Sequence, residues 1–117
     1  MMSNPDCIFC KIAAGDVDAD IIYQSDELVG FRDLNPQAPT HVLIIPRRHI
    51  STINDITESD AELIGQLFVA AKEIAAQEGI SEPGYRVTMN CNAGGGQSVF
   101  HVHLHLLGGR QFTWPPG

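Results

Sequence analysis

Three of the chain's five histidines lie at alternating positions in the segment SVFHVHLHLLGGR, residues 98–110. The three are His101, His103 and His105. Alternate residues of a β-strand point to the same face, so we expect the imidazoles to share one face and the aliphatic residues between them to face a core. Imidazoles at close range cannot all be protonated, so at least two should be neutral near pH 7. Neutral imidazoles can act as nucleophiles or metal ligands, although one or two could be ordinary surface histidines.

Strand geometry limits how such a row could bind a metal ion. Residues i and i+4 of a strand lie ~13 Å apart at ~3.3 Å per residue, too far to share one tetrahedral ion. One ion could therefore use one or two of these histidines, but not all three.

A glycine-rich loop precedes the histidines. Gly94, Gly95 and Gly96 let backbone amides approach a ligand, although three glycines alone could be a flexible hairpin. Gln97, Ser98 and Asn90 are expected to add side-chain donors. Donors around an imidazole nucleophile predict a phosphoryl-transfer site that needs no metal for its chemistry.

The bulk composition narrows the class of protein. The 117 residues suit one domain, and 44% apolar with 18% charged residues is neither a disordered nor a membrane composition. No apolar run nears the ~20 residues of a membrane span, and no secretory leader is recognisable. A net charge of −7 argues against nucleic acid or anionic membrane as partner. Three cysteines do not make a disulfide framework, so a reduced, cytoplasmic setting is predicted.

The first half of the chain predicts a short helix and three strands. The helix spans residues 7–14 and stops at Gly15, and the strands cover residues 21–24, 27–31 and 41–46. Two prolines make the loop at residues 35–39 rigid.

A long helix and two further strands are predicted to follow. Thr57 is the expected N-cap, with Asp60 three residues on, and Gly79 suits the C-terminal end. The expected apolar face consists of Leu63, Ile64, Leu67, Phe68, Ala71, Ile74 and Ala75. Strands at residues 85–91 and 99–107 complete an α+β domain with a five-stranded, mainly antiparallel sheet.

The run HVHLHLL, residues 101–107, resembles the histidine triad motif, His-x-His-x-His-x-x with apolar x. Three stretches, CIFCKI, NPQAPTHVLIIPRRHI and GGQSVFHVHLHLLGGRQFTWPPG, are similar to the Hint branch of the histidine triad (HIT) superfamily, the nucleoside phosphoramidases. The related diadenosine polyphosphate hydrolases usually lack the final Leu-Gly-Gly-Arg to Trp-Pro-Pro-Gly ending. The resemblance covers almost the whole chain and implies one HIT domain over residues 1–117 that binds purine nucleotides.

The resemblance also implies a role for each histidine. His103 would attack the phosphorus of a nucleoside 5′-phosphoramidate, or of an aminoacyl adenylate, and form a nucleotidyl-histidine that water then hydrolyses. His105 would contact the phosphate oxygens, while His101 and His41 would orient the nucleophile. The residues implied to hold the phosphate are Asn90, Gln97, Ser98 and the Gly96 amide, and Ser98 would help to protonate the departing amine.

The implied nucleoside pocket is apolar with one acid. Its apolar members are Ile8, Phe9, Ile12, Phe31, Leu34 and Leu43, each of which could equally be ordinary core. Asp33 would accept hydrogen bonds from the ribose hydroxyls, or else cap the following turn.

A zinc site is the second implication. Cys7 and Cys10 have the spacing of zinc ligands, and in several bacterial members of the family such a pair joins a histidine of the middle motif and the first triad histidine. Here those are His49 and His101, which would give a structural Cys2His2 site. The alternative is that the cysteines are simply buried apolar residues. No organic cofactor is implied.

The C-terminal tail, residues 108–117, carries an aromatic pair that is expected to be buried against something. The family resemblance implies a homodimer in which Trp114 reaches the partner's active site; the alternative is a tail folded on its own subunit. Two other functions stay open, a dinucleoside polyphosphate hydrolase and a non-catalytic nucleotide-binding scaffold.

Overall fold

The computed structural model describes residues 4–117, which form two helices, three short 3-10 turns and five strands. The helices are α1 (Ile8–Ala14) and α2 (Ala61–Gln77). The strands are β1 (Ile21–Gln24), β2 (Leu28–Arg32), β3 (Thr40–Pro46), β4 (Tyr85–Thr88) and β5 (Leu104–Gly108).

The strands form one antiparallel sheet in the order β1-β2-β3-β5-β4, which confirms the predicted α+β fold. One face packs against α2 and includes Val102 and Leu104, which lie between the histidines, and Leu106, which follows them. The other face packs against α1 through Phe9, Cys10 and Ile12. The aliphatic positions of the triad segment therefore face the core, as predicted, and the histidines lie on the α1 side.

The long helix begins and ends largely as its sequence predicts. Thr57 and Asp60 form a capping box on a 3-10 turn, Glu58–Asp60, that leads into α2. Gly79 follows the helix with φ of 75°, and its amide donates to the carbonyl of Ala76. The predicted apolar face is wrong at Phe68, whose side chain is 49% exposed. Ala70 takes its place in the core, because at 3.6 residues per turn it lies nearer than Phe68 to the centre of the buried stripe.

The last two strands are shorter than predicted. β5 begins at Leu104 rather than at residue 99, so only His105 of the triad lies on the strand. The cause is its neighbour β3, which ends at Pro46, a residue without an amide hydrogen to continue the ladder. The carbonyl of Pro46 instead accepts from the His101 side chain. β4 stops at Thr88, opposite His105, because β5 offers it no partner further on.

None of the helices among residues 4–117 is long and apolar enough to cross a membrane.

Candidate active site

His103 is held by the backbone just before it. Its Nδ1 lies 2.7 Å from the carbonyl oxygen of His101, and its ring is only 5% exposed. A carbonyl can only accept, so Nδ1 carries the proton and Nε2 keeps its lone pair. The ring of Phe9 packs edge-on against His103 with centroids 5.0 Å apart. His103 therefore presents an unprotonated nitrogen from a fixed ring, which is what a nucleophile requires.

His101 faces the other way, into a cluster with Cys7, the N-cap of α1, and Cys10, which lies within that helix. Its Nε2 donates to the carbonyl of Pro46 at 2.7 Å, so its lone pair is on Nδ1. That Nδ1 lies 3.4 Å from the sulfur of Cys7 and 3.5 Å from the sulfur of Cys10. The Nδ1 of His49 is 3.3 Å from the Cys10 sulfur. The structure thus brings all four predicted metal ligands together.

The four side chains fit a tetrahedral zinc ion. Their ligand atoms all lie within 4.8 Å of one another, and the outer nitrogen of His49 is 3.1 Å from the hydroxyl of Ser51. Zinc-bound histidines usually have their second nitrogen tied in this way. Backbone amides of Cys10 and Asn4 point at the two sulfurs, as they do toward thiolates. Burial raises the pKa of the Cys10 thiol, and a bound cation would favour the thiolate instead.

His41 and His105 form a second pair of imidazoles. His41 Nδ1 accepts from the backbone amide of Gln37 at 3.0 Å, which places its proton on Nε2. That nitrogen lies 2.9 Å from Nδ1 of His105 and 3.4 Å from a carboxylate oxygen of Asp33. Asp33, His41 and His105 are close enough to hold a metal ion. However, the proton on His41 Nε2 occupies the position that an ion would need, so we interpret the group as a hydrogen-bond chain.

Burial keeps these imidazoles neutral. It lowers the pKa of His105 to about 4, with smaller contributions from the neighbouring His103 and His41. It lowers the pKa of His101 to about 4 as well, against the opposing effect of the Pro46 carbonyl. The pKa values of His103 and His41 are also lowered, again by burial first. The expectation of neutral histidines near pH 7 is therefore met by desolvation more than by mutual repulsion.

A cavity of about 300 Å³ opens in front of His103 and His105. All six predicted nucleoside-pocket residues line it, together with Asp33 and Ser98; the six are Ile8, Phe9, Ile12, Phe31, Leu34 and Leu43. They divide into core and rim, since Phe9, Phe31 and Leu43 are buried whereas Leu34 is 98% exposed. A half-open apolar slot that ends at two imidazoles suits a flat ring joined to an anionic group.

Several lining residues were not predicted from the sequence. They are Val17, Asp18, Ala19, Asp20, Arg32 and Val99. The segment at residues 17–20 carries no motif, and it reaches the cavity only because β1 pairs with β2 beside Phe31.

Asp33 has the turn role that was considered as its alternative. One of its carboxylate oxygens accepts from the amide of Asn35 at 2.8 Å, and the other faces His41. The carboxylate still lines the cavity, so the cap and a ribose contact are compatible.

Gln97 differs from its predicted role as a side-chain donor to phosphate. Its amide nitrogen donates to the carbonyls of Ser51 and Val99 at 2.8 and 3.1 Å, and its oxygen accepts from the amide of Asn92 at 2.8 Å. Both side-chain hydrogens are thereby used inside the protein, and the residue is 6% exposed. Gln97 therefore braces the loop rather than offering donors to a ligand.

Of the other residues predicted to hold the phosphate, only Ser98 lines the cavity. The Gly96 amide donates to the carbonyl of Ala93 at 3.0 Å and so is not free for a phosphate oxygen. Gly96 has φ of 82°, and a Cβ there would lie 3.9 Å from the side-chain nitrogen of Asn90. Asn90 is thus placed beneath the glycines rather than in the cavity wall, whereas Ser98 lines the wall. Trp114 is 82% exposed and lies outside the cavity of its own subunit.

The chain matches known proteins over nearly its whole length. The family model described as the HIT domain matches residues 14–112. The purine nucleoside phosphoramidase of Escherichia coli K12 is 52% identical over 103 residues, covering 88% of this chain and 87% of that protein. A HIT family hydrolase from Legionella pneumophila superposes with a TM-score of 0.94 at 55% identity, covering 96% of this chain and 100% of that one.

A third likeness bears on the cysteine and histidine cluster. A zinc-bound histidine triad family protein from Mycobacterium smegmatis superposes with a TM-score of 0.80 at 28% identity, covering 96% of this chain and 80% of that one. Cys7 and Cys10 precede residues 14–112, so the family match does not itself include them. Sequence, fold and comparisons agree, and the chain belongs to the HIT domain family.

Proposed function

We propose that this protein is a hydrolase that cleaves the P–N bond of purine nucleoside 5′-phosphoramidates, and of the related aminoacyl adenylates at their P–O bond. The observation that carries the proposal is the unprotonated Nε2 of His103, fixed by the His101 carbonyl and placed at the inner end of the apolar cavity. The name of the Escherichia coli relative, purine nucleoside phosphoramidase, supports the substrate class.

The reaction proceeds in two displacements. Nε2 of His103 forms a bond to phosphorus, the P–N bond to the amine breaks, and the amine leaves with a proton supplied from the side of Ser98. Water then attacks phosphorus, the bond to His103 breaks, and the nucleoside monophosphate is released. Throughout, the Nε2 hydrogen of His105 donates to a phosphate oxygen. The Gly96 amide does not, because it already donates to the carbonyl of Ala93 at 3.0 Å.

The base and ribose occupy the outer part of the cavity. Phe9, Phe31 and Leu43 contact the base from the buried side, and the exposed Leu34 covers it from the rim. Asp33 accepts from the ribose with the carboxylate that also caps the turn. Gln97 contributes to phosphate binding only by holding the loop.

The Cys7, Cys10, His49 and His101 cluster is proposed to hold a structural zinc ion. When bound, zinc supplies a cross-link between α1 and the triad segment, and no chemical step passes through it. His101 then has two structural tasks, because its side chain binds the ion while its carbonyl orients His103.

We also propose that the single domain acts as a homodimer in the cytoplasm, as the family resemblance implies. The exposed Phe68 and Trp114 give apolar area that a partner would cover. Sedimentation equilibrium checks the dimer directly, and a monomer at micromolar concentration would contradict it.

The decisive variant is His103→Ala. We expect hydrolysis of a fluorogenic adenosine phosphoramidate to be abolished, because no other unprotonated ring nitrogen faces the cavity, while AMP binding stays within a few fold. When the reaction with substrate is stopped by rapid quench, the wild-type protein should carry an adenylated intermediate. The variant should lack it.

Two outcomes would contradict the proposal. Near-normal steady-state turnover by His103→Ala would show that His103 is not the nucleophile. Faster hydrolysis of diadenosine triphosphate than of the phosphoramidate by wild type would favour a polyphosphate hydrolase instead.

A further inference from the structure

The segment Leu-Gly-Gly-Arg, residues 107–110, begins two residues after His105 and takes no part in the steps above. It packs against the proline-rich loop at residues 35–39. Arg110 donates from Nε to the carbonyl of Gln37 at 2.9 Å. Gly109 has φ of 92°, and a Cβ there would lie 2.9 Å from Cβ of Pro39. Only glycine permits that approach, so the start of the tail holds the loop at two points.

The same loop contacts the imidazole pair. The backbone amide of Gln37 donates to Nδ1 of His41, which is 6% exposed. With its proton thus on Nε2, His41 donates to Nδ1 of His105. His105 must then carry its own proton on Nε2, because its Nδ1 is already an acceptor.

We propose that Gln37 and Arg110 are positioning residues for the phosphate-binding histidine. Gln37 acts through its backbone amide, and Arg110 acts by holding the carbonyl of Gln37. Together they keep His41 and His105 in the tautomers in which His105 offers an Nε2 hydrogen to the cavity. The benefit to phosphate rests on the proposed function, whereas the tautomers themselves do not.

The opposite arrangement shows why the amide matters. With a proton on Nδ1, His41 would have a lone pair on Nε2 and would accept from Nδ1 of His105. His105 would then turn an Nε2 lone pair toward the phosphate oxygens and repel them. One backbone amide therefore selects between a donor and an acceptor at the ligand.

Other charged and titratable groups near the pair must be weighed. The carboxylate of Asp33 lies 3.4 Å from His41 Nε2 and also favours a proton there. The ring centroids of His103 and His105 are 4.9 Å apart. The His103 ring is neutral, with its lone pair on Nε2. The hydrogen bond of Arg110 goes to the carbonyl of Gln37 and not to an imidazole. Asp33 and Gln37 thus act in the same direction, and an experiment has to separate them.

Long-range ¹H–¹⁵N NMR of the ligand-free protein at pH 7 reads each tautomer directly. We expect only the Nε2–H form for His41 and His105 in wild type and in Gln37→Ala, which keeps the backbone amide. Gln37→Pro removes the amide hydrogen, so His41 should become a mixture of both forms. Arg110→Met should shift the His41 signals. Arg86→Met is the matched control, since Arg86 also stacks on Phe112 but donates to Thr113.

The effect on catalysis is measured as the rate of adenylated-intermediate formation. We expect Gln37→Pro to be about tenfold or more slower than Gln37→Ala, less than the ~10⁴-fold loss that a wrong imidazole tautomer causes in a serine protease triad. A proton on Nδ1 of His41 in wild type would overturn the proposal, as would unchanged tautomers in Gln37→Pro, which would assign control to Asp33. If Gln37→Pro does not fold, the His41 and His105 tautomers measured by NMR in wild type and in Arg110→Met test the proposal. Because the tautomers are read without substrate, failure of the phosphoramidase assay would refute the proposed function alone.

Discussion

In four histidines of this protein, a hydrogen bond to one ring nitrogen determines which of the two nitrogens carries the proton. A carbonyl fixes His101 and His103, an amide fixes His41, and His41 in turn fixes His105. In the proposed function, these four chemically identical side chains serve as a metal ligand, a nucleophile, a relay and a donor. The hydrogen bond that one ring nitrogen makes within the protein thus determines what the other nitrogen can do.

Gln97 illustrates the same principle for an amide side chain. In Gln97→Glu a carboxylate would face the carbonyls of Ser51 and Val99, which need donors. We expect a loss of about 3 kcal/mol in the free energy of unfolding, because a buried acceptor would be left against two acceptors. Urea unfolding measures it, with Gln111→Glu on the exposed tail as the matched control. Equal stability of the two variants would contradict the bracing role.

The residue types were predictable, but their hydrogen-bond partners were not. The alternation of His101, His103 and His105 and the Cys7–Cys10 spacing are local patterns with a direct chemical meaning. The carbonyl of Pro46 is 55 residues from His101 in sequence, and only the fold brings it to the ring. The amide of Gln37 is four residues from His41, but a backbone hydrogen bond of this kind leaves no signal in the side-chain pattern. Gln97 was predicted to be a ligand donor because it follows the glycine-rich loop and precedes the histidines, and its burial is not visible in one sequence.

At the scale of elements, α1 is a short helix that both proposed sites share. Cys7 caps it and Cys10 lies within it, while Phe9 between them packs against His103 and Phe31. Seven residues make too little helix to be stable alone, so tertiary contacts and the proposed zinc must hold it. The cluster of Cys7, Cys10, His49 and His101 therefore supports one wall of the cavity.

Removing the metal should loosen that wall. We expect protein purified without chelator to contain close to one zinc per chain, and Cys10→Ser to lower the melting temperature by at least about 5 °C and to weaken AMP binding. Metal analysis, thermal unfolding and calorimetric titration provide the measurements. Cys91→Ser is the control, since that cysteine lies outside the cluster. Less than a few tenths of an equivalent of zinc, or equal melting of both variants, would count against the site.

Element order and the long helix were well predicted because capping residues and apolar spacing are local signals. The extent of β5 was not, since a strand ends where its neighbour stops offering hydrogen bonds. Pro46, 55 residues away from His101, sets that limit. As a result the first two triad histidines leave the strand, and this departure allows His101 to reach the cysteines while His103 faces the cavity.

At the scale of the whole molecule, the sheet separates two cores with different tasks. The core against α2 contains most of the large buried aliphatic side chains and gives the fold its stability. The core against α1 contains Phe9, Phe31 and Leu43, which are also cavity residues. Substitutions on the α2 side should thus change stability, and those on the α1 side should change binding as well.

The buried neutral histidines should make the stability of the whole protein depend on pH. The pKa of His105 is near 6.5 in the unfolded chain and about 4 in the folded one, so below pH 6.5 the unfolded chain binds more protons. Stability is then highest above pH 6.5 and falls as the pH drops toward 4. The lowered pKa values of Asp60 and Glu78 act in the same direction but only at more acidic pH.

In His105→Gln we expect the urea midpoint to fall less between pH 7 and pH 5 than in wild type. Saturating zinc in both samples makes the pH-dependent contribution of the metal ligands the same in the two proteins. Parallel curves would show that His105 is not held neutral by burial.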